Sequence, residues 1–270
     1  MAMNRGKKII RRSLSTLYIL TLAAASAFAQ MQTSTPALVG EWKFDEGSGQ
    51  EVLDTSGNNN NGTLGANSTV ETSDPAWTAG KVRGALRFDG IDDYVAIAPS
   101  NSLNNLPAFT LEAWIYPTSH ADRAGDPSEF FDKGDSSKRF MFDFDGSGGL
   151  MGQIRFTGNS AESHSWEVIP LNQWTHVVMT LDAKVENIIR LYINGRESNY
   201  YSQTAGLGRV RSETLPTSLG WLIGCRNRTY RFFEGKIDEV RIYSEALTLA
   251  EVLERYNAGM THVLNWRIVW

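Results

Sequence analysis

The chain has 270 residues, of which 41% are hydrophobic and 21% are charged, a composition typical of a globular protein rather than a disordered one. Its 30 acidic residues outnumber its 26 basic ones. This balance argues against nucleic acid as a partner, because proteins that bind phosphate backbones present a basic face. The only cysteine, Cys225, excludes an intrachain disulfide, and its apolar neighbours predict a small buried side chain rather than a nucleophile.

The first 29 residues have the pattern of a secretory signal peptide. Five basic residues lie between positions 5 and 12, an apolar segment covers Leu14–Ala25, and Ala27-Phe28-Ala29 fits a cleavage site. An uncleaved membrane anchor is the alternative, although the apolar segment is short for a bilayer. Cleavage removes five of the 26 basic residues and none of the 30 acidic ones, which leaves a net charge of −9. We therefore expect an exported protein, secreted, periplasmic or on the cell surface, with no stable membrane insertion after cleavage.

The predicted domain begins with a strand and a polar loop. Residues 30–37 form a polar linker, and Leu38–Phe44 then alternates between two faces, which predicts the first strand. Asp54–Gly62 follows, with runs of Asn and Gly that supply left-handed backbone and side-chain oxygens. Two interpretations of this loop stay open, a flexible loop and a loop folded round an ion.

Leu86–Val95 predicts a strand, a tight turn and a second extended run. Apolar positions alternate with polar ones, and Asp89-Gly90 is a strong turn signal. Three carboxylates, those of Asp89, Asp92 and Asp93, crowd this turn and repel one another unless a cation or water separates them. A solvated turn and a site for a hard cation such as Ca²⁺, which takes oxygen ligands from irregular turns, are both consistent with the pattern.

Further strands follow at short intervals, separated by turn signals. Phe109–Tyr116 alternates between an apolar face and a face with Glu112 and two aromatic rings, which core packing or a binding groove would each explain. The remaining predicted strands are Phe140–Phe144, Leu150–Phe156, Trp174–Leu181, Ile188–Ile193 with its Asn194-Gly195 turn, Trp221–Cys225 and Gly235–Tyr243.

Only one stretch predicts a helix. Thr248 and Glu251 form a capping box, and apolar residues recur on one face as far as Asn257-Ala258-Gly259, where we expect the helix to end. The sequence assigns no role to the apolar tail 260–270, and an added edge strand is one interpretation of it. Many short strands and one terminal helix predict an all-β fold, a two-sheet antiparallel β-sandwich with a single domain over residues 38–259.

Several short segments match a known family in order along the chain. They are Trp42–Gly49, Asp54–Gly57 with Asn61-Gly62, Gly84–Val95, Phe109–Tyr116, Trp174–Val177, Leu191–Gly195 and Phe233–Tyr243 with Ala246-Leu247. Through them the chain resembles the LamG-like jelly-roll family of the concanavalin A-like lectin/glucanase superfamily. The resemblance implies a jelly roll of two curved sheets, but it says less about function, because this fold carries binding modules and enzymes alike.

The resemblance also implies a structural Ca²⁺ near the first and last strands. Its last-strand carboxylate corresponds to Asp238, which could instead pair with Lys236 or Arg241 at the surface. Oxygen ligands from turns agree in kind with the preferences of this ion. The expected calcium ligands are, in order, Asp238, Asp45, Asp92, Asp93 and Asn58.

Relatives in the superfamily hold sugars on the concave face, where aromatic rings stack on the sugar and polar side chains bond its hydroxyls. Our first hypothesis is therefore a non-catalytic, calcium-stabilised module that binds a polysaccharide or glycoconjugate. Its net negative charge disfavours strongly anionic glycans. The expected ligand-binding residues are Trp114, Arg139, Trp166, Trp221, Arg226 and Tyr230.

Two alternative functions stay open. The first is a polysaccharide lyase or glycoside hydrolase with an unfamiliar concave-face site that uses Glu112, Asp143 or Arg155. The carboxylate strand of superfamily glucanases has no match here, and the four histidines lack metal-ligand spacing. One of them, His176, is expected to be a packed core residue. The second alternative is an adhesion module in which rim loops bind another protein.

Overall fold

Two β-sheets, one α-helix and a short 3₁₀ helix (Asn101–Leu103) make up the described part of the molecule. A computed structural model describes residues 36–104, 106–133, 140–210 and 220–264. In chain order the strands are β1 (Leu38–Trp42), β2 (Glu51–Val52), β3 (Gly62–Leu64), β4 (Ala76–Val82), β5 (Gly84–Asp89), β6 (Val95–Ile97), β7 (Ala108–Pro117), β8 (Glu129–Lys133), β9 (Phe140–Phe144), β10 (Gly149–Arg155), β11 (Ser160–Val168), β12 (Thr175–Asp182), β13 (Glu186–Ile193), β14 (Arg196–Glu197), β15 (Tyr200–Thr204), β16 (Trp221–Ile223) and β17 (Glu234–Tyr243), and the helix is α1 (Leu249–Leu264).

The strands form an eight-stranded and a nine-stranded sheet. The first has the order β14–β13–β12–β7–β17–β5–β4, with β1 paired to β17, and the second has the order β15–β11–β10–β9–β8–β16–β6–β3–β2. Neighbouring strands are antiparallel in both sheets. The predicted all-β, two-sheet antiparallel jelly roll with a C-terminal helix is therefore confirmed.

Phenylalanine rings join the two sheets in the core. Phe130 of β8 meets Phe142 and Phe144 of β9 edge-to-face, with ring centroids 5.4 and 4.6 Å apart. It also meets Phe233, which precedes β17 of the opposite sheet, at 5.6 Å. Burial of each such ring contributes about 1.5–3 kcal/mol, and each edge-to-face pair adds about 0.5–1.5 kcal/mol. Phe130, Phe142 and Phe144 therefore mark the core side of the nine-stranded sheet.

The polar loop over residues 54–62 folds round a carboxylate of its own. Asp54 accepts hydrogen bonds from the backbone N–H groups of Glu41, Ser56 and Asn60, each at 2.9 Å. Asn60 is almost completely buried, and its backbone carbonyl accepts the indole N–H of Trp42 at 2.8 Å. Because Glu41 and Trp42 belong to β1, these bonds tie the loop to the first strand.

The helix begins as predicted but continues further than expected. Glu251 accepts the backbone N–H of Thr248 at 2.8 Å, which confirms the capping box. The predicted end at Asn257-Ala258-Gly259 is wrong, because α1 continues to Leu264. A Cβ at Gly259 would lie 2.6 Å from Nε1 of Trp114, so this glycine permits close packing of the helix on the sheet instead of ending it.

The two ends of the chain are described only in part. Residues 260–264 are helical, so the predicted edge strand is wrong for this part of the tail. Residues 265–270 lie outside the described part of the chain, as do residues 1–35, which contain the predicted signal peptide. No helix among the described residues is long and apolar enough to cross a membrane. Cys225 is buried as predicted, and burial raises the pKa of its thiol.

We expect Asp54→Ala to lower the free energy of unfolding by about 2–4 kcal/mol, because it leaves three backbone N–H groups without their acceptor. Asp54→Asn keeps an acceptor oxygen and should cost less. Urea denaturation of both variants beside the wild type measures the difference. Equal stability of Asp54→Ala and the wild type would show that the carboxylate does not hold the loop.

Candidate functional site

The two sheets differ in what covers their outer faces. On the eight-stranded sheet, Val252 of α1 packs with Val178 and Tyr243, and Tyr256 of α1 stacks on Trp114 with ring centroids 5.7 Å apart. No described helix lies on the outer face of the nine-stranded sheet, where aromatic rings are exposed. This second face is therefore the candidate binding surface.

An exposed aromatic pair lies near the β15 edge of that face. Trp166 of β11 is 66% exposed, and Tyr201 of β15 is 45% exposed. Their ring centroids are 5.4 Å apart in a T-shaped arrangement. His164, two residues before Trp166 on the same strand, lies 5.3 Å from the Tyr201 ring. We call these three residues, together with Glu162 and Asp145, the Trp166 cluster.

Hydrogen bonds connect the polar members of the Trp166 cluster in a chain. Oε1 of Glu162 lies 2.7 Å from Nε2 of His164, and Nδ1 of the same ring lies 3.1 Å from Oη of Tyr201. The Tyr201 hydroxyl also donates to Oδ2 of Asp145 at 2.9 Å. This series of hydrogen bonds orients the Tyr201 ring, which in turn packs against Trp166.

The protein environment stabilises the ionised carboxylates and the neutral phenol of the cluster. Burial opposes the ionisation of Asp145, but hydrogen bonds from Ser147 and Tyr201 outweigh it and hold its pKa below the usual range. The hydrogen bond from His164 is the largest cause that lowers the pKa of Glu162. Burial, followed by the hydrogen bond to Asp145, raises the pKa of Tyr201 to about 12, so its hydroxyl keeps its proton at neutral pH.

The predicted sugar-binding residues do not share one surface. Trp166 is exposed in the cluster, but Trp114 and Trp221 are each only 2% exposed. Trp114 lies under α1, and Trp221 packs beside Phe140 with ring centroids 5.9 Å apart. The expectation that these two rings stack on a sugar is therefore wrong, because neighbouring side chains already cover them. Arg139 lies outside the described residues.

Arg226 and Tyr230 form a pair of their own in a turn after β16. The Arg226 guanidinium lies 5.1 Å from the Tyr230 ring centroid, and its Nε lies 4.0 Å from the Glu129 carboxylate. Tyr230 is 36% exposed. Asn227 and Arg228, between them, have left-handed φ values of 53° and 62°. The structure thus brings these two predicted residues together, beside Glu129 of β8 in the nine-stranded sheet.

Glu112 belongs to the covered sheet and not to the candidate surface. It is fully buried on β7, 3.2 Å from Nε2 of His176 and 3.3 Å from Nη1 of Arg241. Burial opposes its ionisation, but the hydrogen bond and charge of His176 and the charge of Arg241 lower its pKa. His176 is itself completely buried, as predicted. A catalytic role for Glu112 at an open face is therefore wrong.

Asp143 and Arg155 lie on the nine-stranded sheet, in different surroundings. Asp143 is fully buried on β9 and accepts a hydrogen bond from Nη1 of Arg231 at 3.0 Å. Arg155 ends β10, where its charge acts on Glu162. Asp143 is thus a covered ion-pair partner, whereas Arg155 borders the Trp166 cluster.

Two of the predicted calcium ligands lie together in the acidic turn after β5. Asp92 and Asp93 join Asp89 there, and one oxygen from each lies within 4.8 Å of the others. Burial, followed by the charge of Asp89, raises the pKa of Asp93 to about 7. The three carboxylates therefore repel one another as the sequence predicts.

The other predicted calcium ligands lie elsewhere. Asp238 accepts the backbone N–H of Val82 and Asp45 accepts that of Gly84, each at 2.9 Å, so both bond the β4–β5 turn. Oδ1 of the fully buried Asp238 has no hydrogen-bond partner among the described residues, and burial raises the pKa of this carboxyl to about 8. Asn58 lies in the polar loop over residues 54–62, and its side-chain amide donates to the backbone carbonyl of Leu38 in β1. The candidate ligands therefore do not lie in one place: Asp238 and Asp45 bond the β4–β5 turn, whereas Asp92 and Asp93 lie in the acidic turn after β5.

Sequence reasoning missed most of the Trp166 cluster. One signal was present, because Glu162, His164 and Trp166 alternate with serines and so share one face of a strand. Tyr201 and Asp145 come from β15 and from the β9–β10 turn. No local spacing indicates that they meet β11.

Solved structures share this fold. Domain 4 of AbnA, a GH43 extracellular arabinanase from Geobacillus stearothermophilus, in complex with arabinotriose, has a TM-score of 0.58 and 21% identity, over 82% of this chain and 98% of that domain. The binding domain of Paraclostridial Mosquitocidal Protein 1 has a TM-score of 0.61 and 19% identity, over 82% and 52%. The botulinum neurotoxin serotype G binding domain has a TM-score of 0.59 and 14% identity, over 82% and 51%. The chain spans about half of each toxin domain, and these identities show the fold alone.

A family model identifies the chain more directly than these structures do. No curated protein sequence matches it significantly. Residues 89–253, more than half of the chain, match the model Laminin_G_3, described as the concanavalin A-like lectin/glucanases superfamily. The match begins at the end of β5 and ends within α1, so it includes strands of both sheets. The predicted resemblance is confirmed, and the chain belongs to the Laminin_G_3 family of the concanavalin A-like lectin/glucanase superfamily.

Proposed function

We propose that this chain is a non-catalytic module of an exported protein, and that it binds a polysaccharide or glycoconjugate through the Trp166 cluster. The observation that carries the proposal is the indole of Trp166, which is 66% exposed beside Tyr201. Apolar surface left in water forgoes about 25 cal/mol per Å² of burial energy. Exposed aromatic surface with a polar rim is typical of a site that a ligand covers.

The chemistry round Trp166 suits a sugar. A ring of the indole type packs against the C–H face of a sugar, and polar neighbours bond its hydroxyls. The Glu162 side chain is 35% exposed and can accept such bonds. Nε2 of Gln153 donates to Glu162 at 2.9 Å, which holds the carboxylate in place beside His164. The cluster therefore combines one stacking surface with oriented polar groups.

The charge of the cluster favours a neutral glycan. The cluster contains two carboxylates, those of Asp145 and Glu162, and one imidazole. The pKa values of the two carboxylates are lowered, so both are ionised at neutral pH. A uronate or sulfate group would meet these negative charges at short range. Hydroxyl groups of an uncharged sugar would instead donate to the partly exposed Glu162 carboxylate.

Two structurally similar domains support a glycan or glycoconjugate as the partner. The arabinanase domain is described in complex with arabinotriose, which supports a glycan. The serotype G toxin domain is described as receptor-binding, which supports a glycoconjugate or protein partner. The exposure of two further apolar side chains favours adhesion as the second candidate function. Val168, which shares β11 with Trp166, is 55% exposed, and Leu171 in the following loop is 38% exposed.

The surroundings of the carboxylates support binding over catalysis. Glycosidases place two carboxyl groups on either side of an accessible glycosidic bond. Asp143 and Glu112 are both completely buried, and each lies beside an arginine, Arg231 and Arg241 respectively. Acids covered in this way are partners in structural ion pairs.

A structural Ca²⁺ and export through the N-terminal signal are also part of the proposal. The buried Oδ1 of Asp238, without a partner among the described residues, is an oxygen that a hard cation would satisfy. Asp89, Asp92 and Asp93 form a second group of hard ligands. Burial raises the free energy of a charged carboxylate, and a bound cation would offset this cost by neutralising the charge.

The first test is a panel of arabinan, xylan, cellulose, mixed-linkage glucan, chitin and alginate, scored for retention of the protein and for new chain ends. We expect retention on a neutral polysaccharide without cleavage, because the cluster supplies stacking and no accessible acid pair. New reducing ends or unsaturated products would overturn the non-catalytic assignment. Failure of every polysaccharide to retain the protein would favour the adhesion function.

Trp166→Ala should weaken retention by roughly thirty-fold, about 2 kcal/mol, the usual cost of removing a central aromatic anchor. Trp174→Ala is the matched control, because Trp174 packs with Tyr116 at the eight-stranded sheet. Affinity electrophoresis of both variants against the retaining polysaccharide, with melting temperatures as a folding check, measures the effect. Equal losses in the two variants would contradict a specific role for Trp166.

Chelation by EDTA should lower the melting temperature if Asp238 holds Ca²⁺, because an ion that binds only the folded state stabilises it. Asp238→Asn should remove most of this sensitivity, while Asp92→Asn, in the separate acidic turn, should leave it unchanged. Calorimetry with and without EDTA, together with metal analysis of the purified protein, measures both. A melting temperature that EDTA does not change, in a protein without bound calcium, would discard the ion.

A further inference from the structure

A pocket of about 260 Å³, which we call the Arg87 pocket, lies on the outer face of the eight-stranded sheet. Arg87 of β5, Lys236 of β17 and Tyr116 of β7 line it side by side, because Lys236 pairs in register with both of the others. Each has a completely buried core residue as its strand neighbour, so the alternation along a strand turns these three outward. The described residues of α1 do not line the pocket, and Arg87 is exposed to solvent.

Two positive charges lie next to each other in the Arg87 pocket. Arg87 and Lys236 are directly opposite partners on neighbouring strands, a position in which like charges repel and destabilise a sheet. Nζ of Lys236 lies 5.5 Å from the Tyr116 ring centroid and 3.5 Å from the carbonyl oxygen of Ala79, whereas the Arg87 charge acts on the Asp93 carboxyl. Neither cation forms an ion pair with a carboxylate of the described residues.

The carboxylates that line the pocket already have partners. Glu234 lies 3.7 Å from Nη2 of Arg123, which also lines the pocket, and Asp89 accepts the backbone N–H of Ile91 at 2.8 Å. Three cations therefore line the pocket with two carboxylates, which leaves a net positive charge. Arg87 and Lys236 are the two cations that remain available to a ligand.

The donors and the size of the pocket indicate the kind of ligand. A guanidinium and an ammonium group donate charge-assisted hydrogen bonds to the oxygens of a carboxylate, sulfate or phosphate. Tyr116 and Thr118 each add a hydroxyl group to the lining. The volume lies just below the range of about 300–1,000 Å³ that is typical of pockets for drug-sized molecules. A small anion, or one acidic unit of a larger molecule, is therefore of suitable size.

We propose that the Arg87 pocket binds an oxyanion, which lies between Arg87 and Lys236. A negative group in this position replaces the repulsion between two cations with two attractions. The site is independent of the Trp166 cluster, which belongs to the other sheet and whose charge favours a neutral sugar. An acidic polysaccharide and a free anion are two sources of the same chemical group, and the experiment distinguishes them.

The experiment titrates the protein with sulfate, phosphate and galacturonate at constant ionic strength, follows binding by ¹H–¹⁵N NMR, and measures retention on polygalacturonate. The wild type should bind at least one of these anions. Arg87→Gln and Lys236→Gln should each weaken this binding by roughly tenfold, the value of a hydrogen bond to a charged group. Arg196→Gln is the matched control, because it removes an exposed cation from β14 of the same sheet, and it should bind as the wild type does.

A second measurement follows the melting temperature with and without sulfate. Sulfate stabilises folded proteins in general, so Arg196→Gln shows the size of this general effect. The wild type and Arg196→Gln should gain equally, and Arg87→Gln and Lys236→Gln should gain less, because a ligand that binds only the folded state stabilises it. Without sulfate, these two variants should melt no lower than the wild type, because each removes a repulsion between like charges.

The outcomes separate this inference from the proposed function. Retention on polygalacturonate that Lys236→Gln loses would identify an acidic polysaccharide as the source of the oxyanion, and binding of an anion without such retention would identify a free anion. Failure of all these anions and of polygalacturonate to bind, or equal binding by the wild type and both pocket variants, would overturn the inference. Trp166→Ala should bind the anion as the wild type does, so loss of the glycan function would leave this inference intact.

Discussion

Each of the two sheets buries one face in the shared core, and what covers its other face decides where this protein can bind a partner. The α1 helix covers the outer face of the eight-stranded sheet and stacks Tyr256 on Trp114. On the nine-stranded sheet, Trp166 and Tyr201 stay exposed. The same kind of outward-facing tryptophan is therefore a packing residue on one sheet and a candidate binding residue on the other.

The polar groups differ in burial rather than by sheet, since Glu112 lies on the eight-stranded sheet and Asp143 on the nine-stranded one. Glu112 and Asp143 are completely buried, and each lies beside an arginine, because a buried carboxylate without a partner would be strongly destabilising. In the Trp166 cluster, Glu162 and His164 bond each other but remain partly exposed. Structural ion pairs and candidate ligand groups in this protein thus differ less in residue type than in their access to solvent.

Local patterns predicted much of the fold. The turn at Asn194-Gly195 joins β13 to β14 as expected, with φ values of 50° and 77°, because a tight hairpin needs left-handed backbone at both positions. Phe140–Phe144 was predicted as a strand and forms β9 with the same bounds. Gly259 misled the prediction of where α1 ends, since its function is contact with Trp114 from a distant strand.

The candidate site was predicted less well, because its members meet only after the strands have paired. Trp166 was expected at a sugar site, and the alternation of Glu162 and His164 with serines carried the same signal. Tyr201 and Asp145 lie 37 and 19 positions away from His164 in the chain. Antiparallel pairing of β11 with β15, and the turn between β9 and β10, bring them to the imidazole.

The sequence by itself determined several of the strands, such as β7, β9 and β12, and also the Asn194-Gly195 turn, the helix cap and the family, because these depend on residues within a few positions of one another. Only the tertiary structure decided which tryptophan is covered, which carboxylates are paired and which of the predicted calcium ligands lie together. Those properties depend on contacts such as Asp238 with Val82, 156 residues apart, and on the covering of one sheet by α1. Local spacing contains no information about such contacts, because the path of the whole chain sets the distances between distant strands.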